Sequence, residues 1–171
     1  GRFPYTPSVS DLHGVDVAAD ELLAEGLDES IARHQRVFDA CWAGVEAMGL
    51  RPWPVSKAIA SACVSAIRVP DGLTDAQVRD HARERYGVQF SAGQGAGNII
   101  RIGHMGATAR PMMMIAGLAA LGRTLVDLGA RIEPRDERLR VRRVRRRGQR
   151  LHQGQHFWNR CLRALRRRRR L

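Results

Sequence analysis

The 171-residue length suits one domain, or one domain with a tail. Of the formal charge of +12, residues 134–171 supply +14, from sixteen Arg against Asp136 and Glu137, so residues 1–133 sum to −2. The sequence therefore divides into a near-neutral domain, 1–133, and an Arg-rich tail, 134–171, which need separate explanations. No run of eighteen apolar residues occurs, so no membrane span is expected. Cys41, Cys63 and Cys161 lie far apart without a CxxC, which argues against zinc, and against metal generally, and against a disulfide framework. Gly1 to Tyr5 hold no apolar signal region and no initiator Met. Those features lead to the expectation of a chain cut from something longer, in a reduced, cytoplasmic setting.

Taken in order, residues 3–9 hold two prolines and are expected to be extended. Leu12, Val15, Ala19, Leu22 and Leu23 recur at helical spacing and predict a helix over 11–25, with Gly26 as an αL cap. A second helix follows over 28–48, with Ile31, Phe38, Cys41, Trp42, Val45 and Met48 on its apolar face and Gly49 at its end. Residues 51–56 are extended, and the small and β-branched run 62–69 predicts a buried strand closed by Pro70-Asp71-Gly72. Thr74-Asp75-Ala76-Gln77 is a capping box flanked by the staple pair Leu73 and Val78, so a helix starts there and runs to Gly87. Short strands are expected over 88–91 and 98–103, separated by a glycine-rich loop, 92–97. Pro111 opens a last helix whose core face is Ile115, Leu118, Leu121, Leu125 and Leu128. The order predicts a two-layer α+β domain with helices on one face of a small sheet and no internal repeat.

Several side chains could carry chemistry. Strand alternation puts Ile100 and Ile102 on one face and Arg101 on the other. An arginine there costs desolvation unless it meets an anion, so it is either a fork for a substrate carboxylate or an edge-strand charge in solvent. The loop Gly93-Gln94-Gly95-Ala96-Gly97 could cradle a phosphate. A strand rather than a helix comes next, however, so a tight turn close to a ligand fits better. Thr6 could offer its hydroxyl to a phosphate or satisfy a local turn. His104, between glycines, could act as a base, but no partner is placed beside it, which favours a supporting or solvent role. His13, His34 and His81 read as surface or boundary residues, and Met112, Met113 and Met114 as packing. Lys57, the sole lysine, follows Pro52-Trp53-Pro54 in a loop, unlike the desolvated setting of a cofactor-bearing lysine.

An ordered series carries a resemblance. Phe3-Pro4-Tyr5-Thr6-Pro7-Ser8 is followed by Ala24-Glu25-Gly26-Leu27, Ala32-Arg33-His34 and Ala66-Ile67-Arg68-Val69-Pro70. Then come Arg85-Tyr86-Gly87-Val88, Ser91-Ala92-Gly93 and Arg101-Ile102-Gly103-His104-Met105-Gly106. Across roughly residues 3–133 this resembles the C-terminal part of the class V aminotransferases. The last motif, with the glycine-rich loop before it, is the most specific element. The resemblance implies a fold-type I enzyme, a homodimer using pyridoxal 5′-phosphate to move an amino group from a small donor to a keto acid, pyruvate or glyoxylate. It implies that Arg101 binds the substrate carboxylate and that Thr6 contacts the phosphate of a cofactor bound in the neighbouring subunit. Relatives place a tyrosine where Phe3 stands, and Phe3 lacks the hydroxyl. One branch of the family carries a second arginine where Gln94 stands, and the loop here looks one residue shorter, so Gln94 would hold an anion less tightly. The family's cofactor-bearing lysine, the aspartate to the pyridine nitrogen and the ring-stacking residue all fall before the Thr6 segment. The chain as given is therefore expected not to catalyse alone.

After Ile132 the family pattern stops. The tail's arginines, without a lysine, resemble GC-rich text read out of frame. The rival is a nucleic-acid-binding arm with steep salt dependence, and the plain alternative a solvated tail. The first two helices are expected to leave apolar surface exposed.

Overall fold

The computed structural model describes residues 5–130 and residue 132. Phe3 and the Arg-rich tail lie outside them, and with them the expectations placed there. The chain divides into two compact units, Gly1–Arg33 and His34–Leu171.

In the first unit, Tyr5 to Ser8 lead into α1 (Val9–Glu25), which begins two residues earlier than its apolar spacing suggests. No α1 residue is buried, and Leu12, Val15, Leu22 and Leu23 are exposed, as expected of an apolar stripe without a core beneath it. Gly26 has the positive φ (86°) expected of a helix-ending glycine, but its ψ of 139° is not αL. The next helix, α2 (Leu27–Ala47), starts at once, so the backbone re-extends instead of curling into a cap. Arg33 grips Glu25 with two nitrogens, Nη2 lying 2.7 Å from Oε2.

In the second unit, β1 (Val64–Arg68), β2 (Ser91–Ala92) and β3 (Ile99–Gly103) form an antiparallel sheet in the order β1-β3-β2. The expected strand over 88–91 contracts to Ser91–Ala92. Val88 N–H bonds the Ala82 carbonyl, which ties that residue to the end of a helix instead. The segment expected to be extended, 51–56, is so only in part: Pro52 bridges Ile67, and residues 53–55 bend. Trp53 N–H bonds Ala66 O, and Arg68 N–H bonds Arg51 O, so residues 51–53 cover the outer edge of β1.

Register separates the two faces of the sheet. Ser65↔Ile102 and Ile67↔Ile100 share one face, and all four are buried. That face meets α2, α3 (Asp75–Tyr86) and α4 (Pro111–Asp127) in a single core. Val37, Cys41, Val45 and Met48 enter from α2; Val78 and Ala82 from α3; Met114, Leu118, Leu121 and Leu125 from α4. Each buried leucine contributes about 1.5–3 kcal/mol. α2 and α4 touch closely, because a Cβ on Gly44 would lie 2.6 Å from Leu118 Cδ1. The apolar face expected of α2 is buried at Phe38, Cys41, Val45 and Met48; Val37 is buried with them, whereas Ile31 is exposed. On α4, Ile115 and Leu128 are only half-buried, while Met114 is buried and Met112 and Met113 are exposed.

The capping box forms as the sequence indicates, with Thr74 Oγ1 accepting from Gln77 N–H and Gln77 Oε1 accepting from Thr74 N–H. Gly87 closes α3 in the αL conformation. Asn98 joins this corner to the sheet, since its Oδ1 accepts from Asp75 N–H and its Nδ2 donates to Leu73 O. Pro111 occupies the first turn of α4, where its missing N–H costs nothing.

Candidate active site

The other face of the sheet holds the candidate site. Its rows are Ala66↔Arg101↔Ser91 and Arg68↔Ile99, followed by Val64↔Gly103. Arg101 sits on β3, between β1 and β2, so the reading of an edge-strand charge is overturned: pairing on both sides makes the strand central. The Arg101 side chain is half-buried, and its Nε donates to Ala92 O at 2.7 Å. Among the described residues neither Nη group has a hydrogen bond, and no carboxylate lies within ion-pair distance. A partly desolvated cation flanked by Ala66 and Ser91 gains most from an anion arriving from outside.

Ile99 shares this face, yet it is buried apart from the main core. The glycine-rich loop covers it. Ala96 N–H closes a turn onto Gly93 O, and Gln94, Gly95 and Gly97 all adopt positive φ. A Cβ on Gly93 would lie 2.6 Å from Ile99 Cγ1 and 2.9 Å from Gly97 O. Glycine at 93 therefore lets the loop lie flat on Ile99, two residues along the strand from Arg101. The loop leads into β3 rather than a helix, so the phosphate-cradle reading lacks its helix N-terminus and the tight turn stands. Gln94 is exposed, at φ 52°.

Arg101 and the Gln94 loop are thus brought to one face. Thr6 belongs to the first unit, in the extended segment before α1; it is exposed, and its hydroxyl makes no hydrogen bond among the described residues.

Of the two roles expected for His104, supporting or solvent, full burial overturns the solvent one. Its Nε2 lies 2.9 Å from Ser65 Oγ, and its N–H bonds Cys63 O, extending the β1–β3 ladder. Nδ1 has no well-aligned partner among the described residues. Burial pushes this imidazole below its usual range, opposed by the carbonyls of His104 and Ala62 and reinforced by His34. Sealed from solvent, it braces the strand that carries Arg101. The signal lay in Ser65, which strand pairing sets opposite Ile102 and whose hydroxyl meets the His104 ring across 39 residues.

His34 Nε2 accepts from Gly106 N–H, and His81 bonds Asp127, so both are structural. Tyr86 O–H also donates to Asp127, and with His81 it holds that carboxyl below its ordinary range. Lys57 Nζ lies 2.8 Å from Asp39 and 5.5 Å from the Phe38 ring centroid. It is an ion-paired surface residue, as its loop context suggests. Cys63 is a free thiol, and no cluster of potential metal ligands occurs among the described residues.

No family profile matches the chain. The pyridoxamine–pyruvate transaminase of Mesorhizobium japonicum is 48% identical over 132 residues, covering 76% of this chain and 34% of that protein. The L-aspartate–glyoxylate aminotransferase of Paracoccus denitrificans is 38% identical over 133 residues, covering 77% of this chain and 33% of that protein. The crystal structure of pyridoxamine–pyruvate aminotransferase from Mesorhizobium loti superposes with a TM-score of 0.72 at 49% identity, over 75% of this chain and 33% of that one. The matched stretch is a segment of the class V aminotransferase family. The chain spans about a third of the length of the curated relatives it matches. Within the described residues no helix is long and apolar enough to cross a membrane.

Proposed function

We propose that the whole enzyme carrying this segment is a cytoplasmic, homodimeric, pyridoxal-phosphate-dependent transaminase. It moves an amino group to a small keto acid, pyruvate or glyoxylate, and pyridoxamine is the favoured donor because the 48%-identical relative bears that name. Residues 1–133 are its C-terminal domain, and residues 134–171 are a separate tail.

Pyridoxal phosphate, when bound, supplies the electron sink that lets an amino group leave one acid and pass to another. The residues here fit its phosphate but not its point of attachment. Thr6 offers an uncommitted hydroxyl, whereas Lys57, the sole lysine, is ion-paired with Asp39. The lysine that carries the cofactor therefore comes from outside this chain. Arg101 binds the substrate carboxylate through its two Nη groups while Nε, on the Ala92 carbonyl, fixes the guanidinium plane. Gln94, exposed in the loop that rests on Ile99, offers a neutral amide to the substrate.

The observation that carries this reading is the half-buried Arg101 on the open face of the sheet, with no ion-pair partner among the described residues. Steady-state kinetics of the whole enzyme test it. Arg101→Ala removes two charge-assisted hydrogen bonds and should cost about 3–4 kcal/mol, or about 10²–10³-fold in kcat/KM for the keto acid. Arg101→Lys keeps the charge without the fork and should fall between. An unchanged KM in Arg101→Ala refutes the assignment.

A further inference from the structure

Register places one further side chain in reach of the same anion. Ser91 on β2 stands directly opposite Arg101, and Ala66 on β1 stands opposite it from the other side. Directly paired residues share a face, with Cβ atoms about 4.5–5.5 Å apart. Ala66 contributes no polar atom, so Ser91 holds the only hydroxyl of the row. It is exposed, and that hydroxyl makes no hydrogen bond among the described residues. Arg101 Nε is already committed to Ala92 O, the residue next to Ser91, so the guanidinium leans toward β2.

We propose that Ser91 binds the substrate's acid group together with Arg101, donating its O–H to a carboxylate oxygen held by the Nη groups. This rests on the transaminase reading and names a second residue of its acid subsite. A carboxylate has about four acceptor positions, and a bidentate guanidinium occupies two. The hydroxyl takes a third from the β2 side. Ala66 leaves the β1 side open without competing. The row therefore favours a compact acid group lying across the sheet, as in a short keto acid.

The test is a double-mutant cycle in the whole enzyme, reading KM and kcat with pyruvate and with glyoxylate. Ser91→Ala should raise KM for the acid about 5- to 30-fold and leave kcat within about twofold. Ser91→Thr keeps the hydroxyl and should restore KM. In the Arg101→Ala background, Ser91→Ala should change KM by less than about twofold, because the carboxylate is no longer held beside it. An unchanged KM in Ser91→Ala, alongside a large rise in Arg101→Ala, overturns the role of Ser91 alone. So does a Ser91→Ala effect that persists at full size without Arg101, which points to a structural cause. A wild-type enzyme that turns over neither acid, or an Arg101→Ala enzyme with normal KM, overturns the transaminase reading and this inference with it.

Discussion

Gly93→Ala probes the link between the glycine-rich loop and the strand beneath it. The added Cβ would lie 2.6 Å from Ile99 Cγ1 and 2.9 Å from Gly97 O. Ile99 is buried and Gly97 O is backbone, so neither yields easily. Overpacking of this kind costs about 1–3 kcal/mol. With a urea m-value of about 1–3 kcal/mol/M, the unfolding midpoint should fall by roughly 1 M. Lifting the loop also moves Ala92, whose carbonyl holds Arg101 Nε, so KM for the acid should rise together with the loss of stability. The second site in the test is Ile99→Ala, which removes Cγ1. By itself it should cost about 2–5 kcal/mol, as a buried isoleucine truncation does. Combined with Gly93→Ala it should cost less than the sum of the two, by about 1 kcal/mol, because one of the two clashes has gone. Costs that add to within about 0.5 kcal/mol would mean that the loop does not rest on Ile99, and the packing argument would fail.

Three further outcomes are expected. Thr74→Ala removes the side chain that accepts from Gln77 N–H and should destabilise the fold by about 1 kcal/mol in urea unfolding, with a smaller loss for Thr74→Ser. Burial holds the His104 imidazole below the 6.5 of a free histidine, so the unfolded chain binds its proton more readily than the folded one. Its contribution to stability is complete above pH 6.5 and fades as pH drops through the lower folded value. The urea midpoint should therefore decline below pH 6.5, and His104→Gln should flatten that decline; an unaltered slope contradicts the assignment. Tyr86→Phe removes the largest influence depressing Asp127 and should move that carboxyl back up toward its ordinary range, as followed by NMR titration.

Local chemistry was the most legible part of the sequence. The capping box at Thr74, the proline opening α4 and the glycine closing α3 are decided within a few residues, and each formed where the residues indicated. Alternation along Ile99–Gly103 separated Arg101 from Ile100 and Ile102 without any knowledge of the sheet. Whether β3 was an edge strand could not be read in the same way. That depends on pairing with β1, more than thirty residues earlier, and with only two residues of β2. The burial of His104 was hidden for the same reason: its flanking glycines suggest a solvated loop, whereas its partner Ser65 lies on another strand. Ser91 stood only as part of the Ser91-Ala92-Gly93 motif, because nothing in its immediate neighbours marks it as a ligand; only the register sets it beside Arg101. The expected α2 face held at Phe38, Cys41, Val45 and Met48, all buried; only Ile31, near the start of the helix, is exposed, and Val37 joins the buried set.

The central claim is that the Arg101 guanidinium receives a small carboxylate on the open face of the sheet. A crystal structure of the whole enzyme with a bound keto acid, or with an unreactive analogue of one, tests it most directly. The account predicts a carboxylate with both oxygens about 2.7–2.9 Å from the two Arg101 Nη atoms, Nε still on the Ala92 carbonyl. A carboxylate held by other residues, with Arg101 turned to solvent, would contradict it.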